Sequence, residues 1–319
     1  MIIDWQHHYM PEKLWLKRGG RKGEVVHVVT RGNPSLTLYE QLYRLDMQIA
    51  DMDRAGIDMA VLSVHADCLE DAELINDSLY RVMQEYPKRF VGLATVPPLG
   101  GKAALSEIER AVSVLGLPGV AIRSQIDGLS LDAPALRPFY EKINELDVPI
   151  FVHVAGALQG YDALESPYDL HRNIGREFDL VTATTRLIFG GVLDDFPNLR
   201  FIIAHFGGGI SALVERSEYW QSREPIPGIR LCKKPFREYL NMLYFDTAGF
   251  TVGIRALQCA LTTINPQHML FATDYPYIPS SLETMKPYVD AIRALDLDEE
   301  TKEGILGRNA VKLLKIANI

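Results

Sequence analysis

Short apolar and β-branched runs recur along the 319-residue chain: IIDWQH, MAVLSVH, FVGLATV, GVAIRS, PIFVHVA, RFIIAHFG, LYFDTAG and HMLFATDYP. Each reads as a strand. The segments between them carry helical period and proper stop signals. LYEQLYRLDMQIADMDRAG runs to Gly56, and DAELINDSLYRVMQEYP stops before Pro87. Mostly continuous apolar strands, each followed by a helix, imply parallel strands buried on both faces. The expected fold class is therefore α/β, with eight units closing a (β/α)8 barrel in preference to an open doubly wound sheet. A barrel of this kind commonly exceeds 250 residues as one unit, so residues 1–319 are expected to form a single domain. The closing segment, DEETKEGILGRNAVKLLKI, reads as one or two amphipathic helices after the last strand.

Three stretches exceed the bare barrel: EKLWLKRGGRKGEVVHVVTRGNPS (12–35) after strand one, GALQGYDALESPYDLHRN (156–173) after strand five, and SREPIPGIRLCKKPFREYLN (222–241) before strand seven. The first two follow strand C-terminal ends, where a barrel builds its active site. They are expected to act as a lid, with Trp15, His27 and Tyr161 as wall residues. Plain surface loops or oligomer contacts are the competing reading.

Composition narrows the function. A 47% hydrophobic and 23% charged chain can bury a large core, and a net charge of -8 with a pI near 5.5 argues against a nucleic-acid partner. No apolar run approaches the roughly 18 residues a membrane span needs, and no charged leader precedes the first strand, so a cytoplasmic protein is expected. Cys68, Cys232 and Cys259 show no CxxC spacing. Any metal must therefore use nitrogen and oxygen donors.

The chemistry-bearing residues collect at strand ends: Gln6, His7 and His8 on strand one, His153 on strand five, His205 on strand six, Asp274 on strand eight. A lone histidine at a strand end is more often a hydrogen-bonded core residue than a ligand, but four segments converge here. Alternation sends Gln6 and His8 one way and His7 the other. His8 and the amide oxygen of Gln6 are then placed to grip one cation, with His153 and Asp274 closing the shell. Such donors suit zinc, manganese or iron. His205, before Gly207, Gly208 and Gly209, is better placed as an acid-base group, in a turn whose glycines let backbone approach closely.

IDWQHHYMP, IDMAVLS, FVHVAG, AHFGGG with Arg216 downstream, LYFDTAG, FATDYP and GRNAVKLL, in that order, resemble the amidohydrolase-2 family, the group of aminocarboxymuconate semialdehyde decarboxylase and the resorcylate-type decarboxylases. The resemblance covers nearly the whole chain. It implies one divalent metal, usually zinc, held at positions 6 and 8, His153 and Asp274, with His205 as the family's catalytic histidine and either His205 or Asp274 supplying the proton that replaces carbon dioxide. Where the family shows DxHxH or DxExH, this chain has Asp4, Trp5, Gln6, His7, His8. A neutral amide at position 6 should weaken metal binding. GVAIRSQ offers no lysine for a bridging carbamate, so one metal is expected.

The implied reaction is decarboxylation of a small carboxylated aromatic or unsaturated acid. The alternatives are metal-dependent hydrolysis of a lactone, amide or carbon-carbon bond, and a metal-free barrel that binds a small ligand without turnover. Arg216 is the first candidate for a carboxylate anchor, then Arg123, with Arg54 behind; Phe206 and Tyr275, flanking site residues, are candidate ring contacts. The resemblance also implies a homo-oligomer and a small carboxylate as partner, with no membrane.

Overall fold

The computed structural model describes all residues except 31, 157, 165–167, 224–231, 250–252, 278–281 and 317–319, and gives 282–284 as backbone only. Eight parallel strands form its centre: β1 (Ile3–His8), β2 (Met59–Ser63), β3 (Phe90–Gly92), β4 (Val120–Arg123), β5 (Ile150–His153), β6 (Phe201–Ile203), β7 (Tyr244–Asp246) and β8 (Met269–Leu270). They make two ladders, β1·β2·β3 and β4·β5·β6·β7·β8. Backbone bonds join the ladders at both seams. Ala94 N–H donates to Gly119 and Ala121 N–H to Ala94, both at 2.8 Å; Trp5 N–H donates to Phe271 (2.8 Å), Asp274 N–H to Gln6 (3.0 Å) and His8 N–H to Tyr275 (2.9 Å). The sheet thus closes into a cylinder, which leaves no open strand edge.

Helices follow the strands, as at Leu45–Ala55, Leu69–Glu85, Gly101–Ser113 and Arg176–Phe189. The first is shorter than the sequence pattern predicts. Leu38 ends a strand and Glu40–Leu42 form a single tight turn, so that Leu38 and Leu42 enter the core from non-helical backbone, while Gly56 closes the helix at φ 74° as expected. The C-terminal segment makes two short helices, Glu299–Glu303 and Asn309–Leu314, around a wide turn.

Inside the cylinder, Trp5 of β1 meets Phe151 of β5 edge-on, ring centroids 6.1 Å apart. These strands stand opposite one another, so the pair is an apolar floor beneath the polar residues of the strand ends. β1 carries one residue more than β2 between Asp4 and His7, a bulge that breaks strict alternation. Gln6 and His8 keep their common direction. His7 turns to Asp4 Oδ2 (2.8 Å) and stacks on Tyr275, centroids 4.4 Å apart.

Asp4 ties the β1–β8 seam. Its carboxylate also accepts from the Thr273 amide (2.8 Å) and hydroxyl (2.6 Å), and all three residues are fully buried. Truncating it would take the acceptor from three buried donors, on His7 and on the Thr273 amide and hydroxyl, each costing about 1–3 kcal/mol. Asp4→Ala is expected to lower unfolding free energy by about 3 kcal/mol or more, read as a shift of the urea midpoint at constant slope. A loss below about 1 kcal/mol would show that the seam does not depend on it.

The stretch after β1 folds as a helix, Glu12–Lys17, and an antiparallel hairpin, Val26–Thr30 with Asn33–Leu38. Trp15 is fully buried against Tyr43, with Gly20 packed so close that a Cβ would meet its ring at 2.3 Å. It anchors the insertion.

Candidate active site

The C-terminal ends of the strands open into a cavity of about 740 Å³, with the hairpin residues Val28, Thr30, Ser35, Leu36 and Thr37 on its wall. His8, His153 and Asp274 meet at its base, and one ligand atom from each lies within 4.8 Å of the other two. His8 Nε2 is 2.9 Å from Asp274 Oδ1, and His153 Nε2 is 4.0 Å from the same oxygen. His153 donates Nδ1–H to the Val154 carbonyl (3.0 Å), which fixes the tautomer and leaves Nε2 bare, buried and without a hydrogen-bond partner. Burial pulls its pKa down to about 4, with His8 adding to the effect, so the lone pair is free at neutral pH. Asp274 is held well below the ordinary carboxylate value although burial opposes this, because His153 and His8 favour its anion. Two imidazoles and a carboxylate fit a divalent cation.

Gln6 places Nε2 2.7 Å from Asp274 Oδ1 and 3.2 Å from His205 Nε2, while its Oε1 is buried without a partner. Turned about its terminal bond, the amide would offer that oxygen as a further donor to a cation or as an acceptor to a protonated His205.

His205 stands at φ 54° and opens a left-handed turn through Phe206, Gly207, Gly208 and Gly209. A left-handed stretch is tolerated where glycine supplies it. The turn brings Gly208 so near Glu177 that a Cβ would lie 2.0 Å from its carbonyl oxygen, and the Glu177 carboxylate accepts from His205 Nδ1 at 2.8 Å. Asp246 accepts from the His205 backbone amide (2.8 Å). Burial works against the imidazolium, but Glu177, then Asp274 and Asp246, outweigh it and push the His205 pKa up to about 9. Burial raises Asp246 itself to about 7.

Arg123 lines the cavity at the end of β4, donating to Asp67 Oδ1 at 2.6 Å. The other expected contacts fall elsewhere. Arg216 is exposed, its guanidinium over the Trp220 ring, because the glycine turn directs its helix, Val214–Ser222, away from the opening. Tyr275 is packed on His7 with its hydroxyl on Asp51 (2.5 Å), and Phe206 is buried beneath the turn. Trp15, His27 and Tyr161 are absent from the cavity wall: His27 bonds Thr37 (3.1 Å) and Tyr161 bonds Thr182 (3.1 Å). Arg54 pairs with Asp51 at the surface.

Residues that the sequence reading did not single out complete the cavity. His65 follows β2 in MAVLSVH, a strand-end position like the others; its ring lies 5.4 Å from that of His153, and its Nε2 is buried without a partner. Burial, with Arg123, His153, His8 and Arg18 around it, keeps its pKa well below the ordinary histidine value. Arg18 bonds the His65 carbonyl (2.9 Å) and Asp67 (2.7 Å). Arg172, Arg176 and Tyr277 also line the opening.

Replacing Glu177 by Gln removes the largest influence that favours the His205 imidazolium, leaving burial to dominate. The His205 titration, followed by NMR of the metal-free protein, should fall from about 9 toward or below 6.5. The folded value exceeds the ordinary one, so the pair's contribution to stability is complete below about pH 6.5 and disappears as pH rises through about 9. A His205 titration unmoved by the substitution would contradict this assignment.

Comparison with known proteins agrees with the geometry. The amidohydrolase family model, Amidohydro_2, matches residues 3–316. The 2-amino-3-carboxymuconate-6-semialdehyde decarboxylase of Dictyostelium discoideum is 30% identical over 285 residues, 84% of this chain and 76% of that protein. The gamma-resorcylate decarboxylase of Rhizobium sp. (strain MTP-10005) is 27% identical over 291 residues, 85% of this chain and 87% of that protein. A solved structure of 5-carboxyvanillate decarboxylase from Novosphingobium aromaticivorans, complexed with manganese and a nitrobenzoic acid, superposes with a TM-score of 0.81 at 23% identity, covering 99% of this chain and 96% of that one. The family match along almost the whole chain, on a closed eight-stranded barrel, shows that this protein belongs to the amidohydrolase family.

Proposed function

We propose that the protein is a metal-dependent decarboxylase of a small carboxylated aromatic or unsaturated acid. The observation that carries this reading is the bare, buried Nε2 of His153 within 4.8 Å of donor atoms on His8 and Asp274, at the base of a cavity lined by four arginines. His8, His153 and Asp274 would hold one divalent cation, with Gln6 Oε1 as a fourth, weaker donor. The family resemblance implies zinc, with manganese or iron also suited to the donors; a hard amide oxygen in the set favours manganese as the competitor. When bound, such a cation acts as a Lewis acid and template toward a carboxylate and its neighbouring oxygen.

The chain's own residues supply the rest. His205, held by Glu177 and raised in pKa, carries a proton on Nε2 that it delivers to the carbon losing carbon dioxide. Asp274, kept anionic, is a ligand and takes no proton from solvent at neutral pH. The Gln6 amide, turned to present Oε1, stands between the ligand set and His205 and limits water at the proton-donating nitrogen. Arg123 offers guanidinium N–H groups toward an acidic or phenolic substrate oxygen. The hairpin within 12–38 covers the opening and excludes bulk solvent, as part of a chain that acts as a single domain.

Exposed Phe178, Tyr219 and Trp220 support a homo-oligomer, since large apolar side chains on a surface mark contact sites. Three free cysteines suit the cytoplasmic setting expected from the sequence. Among the described residues no helix is long and apolar enough to cross a membrane.

Metal-reconstituted protein is expected to hold one equivalent of divalent metal and to release carbon dioxide from carboxylated phenols or unsaturated dicarboxylic acids. His153→Ala should lose both, with turnover falling at least about a hundredfold. Acid release from lactones or amides, without carbon dioxide release, would favour the hydrolase instead. Gln6→Glu supplies an anionic donor and should tighten manganese binding by roughly tenfold, measured by competition with a chelator. Unchanged affinity would remove Gln6 from the ligand set.

A further inference from the structure

The carbonyl that fixes the His153 tautomer belongs to a peptide unit that is itself held. The Val154 carbonyl accepts from His153 Nδ1 at 3.0 Å, and the N–H of that same planar unit, on Ala155, donates to Ser124 Oγ at 2.9 Å. Ser124 follows the last residue of β4, and its backbone N–H donates to the His153 carbonyl at 2.7 Å. Its hydroxyl donates onward to Oδ2 of Asp179, on the Arg176–Phe189 helix. Ser124, Ala155 and Asp179 are all buried.

Every donor in this chain points the same way, from the imidazole toward the carboxylate. Hydrogen bonds in series polarise one another, so an anion at the far end strengthens each link. At the near end, a firmly accepted Nδ1–H orients the ring and makes Nε2 a better donor to a cation. Asp179 also has a second arm. Its Oδ1 accepts from Gln125 Nε2 at 2.6 Å, and Gln125 holds the Gln159 backbone by both ends of its amide, accepting from the N–H (3.0 Å) and donating to the carbonyl (3.1 Å). Gln125 and Gln159 line the cavity, whereas Ser124 and Asp179 are absent from its wall. A buried carboxylate is costly unless donors meet it. Burial raises the Asp179 pKa, and the bonds from Ser124, Gln125 and Tyr161 oppose that rise.

We propose that Asp179 is a positioning residue for His153, acting through the Ser124 hydroxyl and the Val154–Ala155 peptide to aim the imidazole and strengthen its hold on the cation. This rests on His8, His153 and Asp274 holding that cation. A carboxylate outside the cavity thereby sets the metal affinity of a ligand inside it.

The test uses the full-length chain and manganese alone, its free concentration set by a chelator. Ser124→Ala cuts the relay and should weaken manganese binding by roughly ten- to a hundredfold, the usual cost of losing a group that orients a metal ligand. Asp179→Asn keeps an acceptor oxygen without the charge and should lose less. Gln125→Ala cuts only the arm to Gln159 and should leave manganese affinity within about twofold. In zinc-loaded protein the His153 Nδ1–H proton resonance should move upfield in Ser124→Ala, which loss of packing alone does not produce. Urea unfolding of each metal-free variant reports the structural part separately. Unchanged manganese affinity in Ser124→Ala, whatever its stability, overturns the proposal, and so does a stationary Nδ1–H resonance. An equal loss in Gln125→Ala also overturns it, because the cluster would then only fasten the strand ends. If the unsubstituted protein binds no manganese, the ligand set falls and the relay with it. Affinities that follow the expected pattern in a protein releasing no carbon dioxide contradict the decarboxylase reading alone.

Discussion

The oxygen Oδ1 of Asp274 is the point at which the barrel becomes a site. It accepts from Gln6 and His8 of β1, and His153 of β5 faces it from the opposite wall at 4.0 Å. An anion surrounded by three polar side chains and almost wholly buried is stable only if its charge is met. Closure of the β1–β8 seam is what brings these groups together, since Asp274 lies on the chain beyond the last paired residue of β8 and is held by its backbone bond to Gln6. The seam depends in turn on Asp4, which joins Thr273 to His7 out of reach of water.

Two residues at positive φ occupy this arrangement, His205 at 54° and Asp274 at 63°. Such backbone costs a few kcal/mol in total. The surroundings that maintain it are specific: Gly249 leaves room for the His205 ring, where a Cβ would come within 2.6 Å, and Gly208 leaves room for Glu177. Strain, glycine placement and the His205–Glu177 pair are thus one construction, which aims a proton-bearing nitrogen at the ligand set from β6. Above it, Arg18 and Arg123 are paired with Asp67, and Arg172 with Asp169.

How legible this was in the sequence depends on the kind of signal. The eight strands were readable because buried parallel strands are apolar throughout, and His8, His153 and Asp274 were readable because a polar residue ending such a run has few structural reasons to be there. His65 carries the same signal at the end of MAVLSVH. Glu177 and Arg176 left no mark: they lie on a helix among other charged residues, and only the approach of Gly208 to the helix backbone reveals why Glu177 faces inward. Arg216 enters through the family resemblance and Tyr275 through its place beside Asp274, and neither signal reports direction; a left-handed turn and a stacked His7 send them elsewhere. Trp15 illustrates a further limit, because an aromatic residue in an insertion can pin that insertion as readily as it can face a ligand.

The central claim is that three separated side chains share one cation. Crystals soaked in manganese and measured at its absorption edge test it directly, because anomalous scattering locates the ion without reference to activity. The account predicts one strong peak at about 2.0–2.3 Å from His8 Nε2, His153 Nε2 and an Asp274 carboxylate oxygen. Absence of a peak there at saturating manganese, or a peak held by other residues, would contradict it.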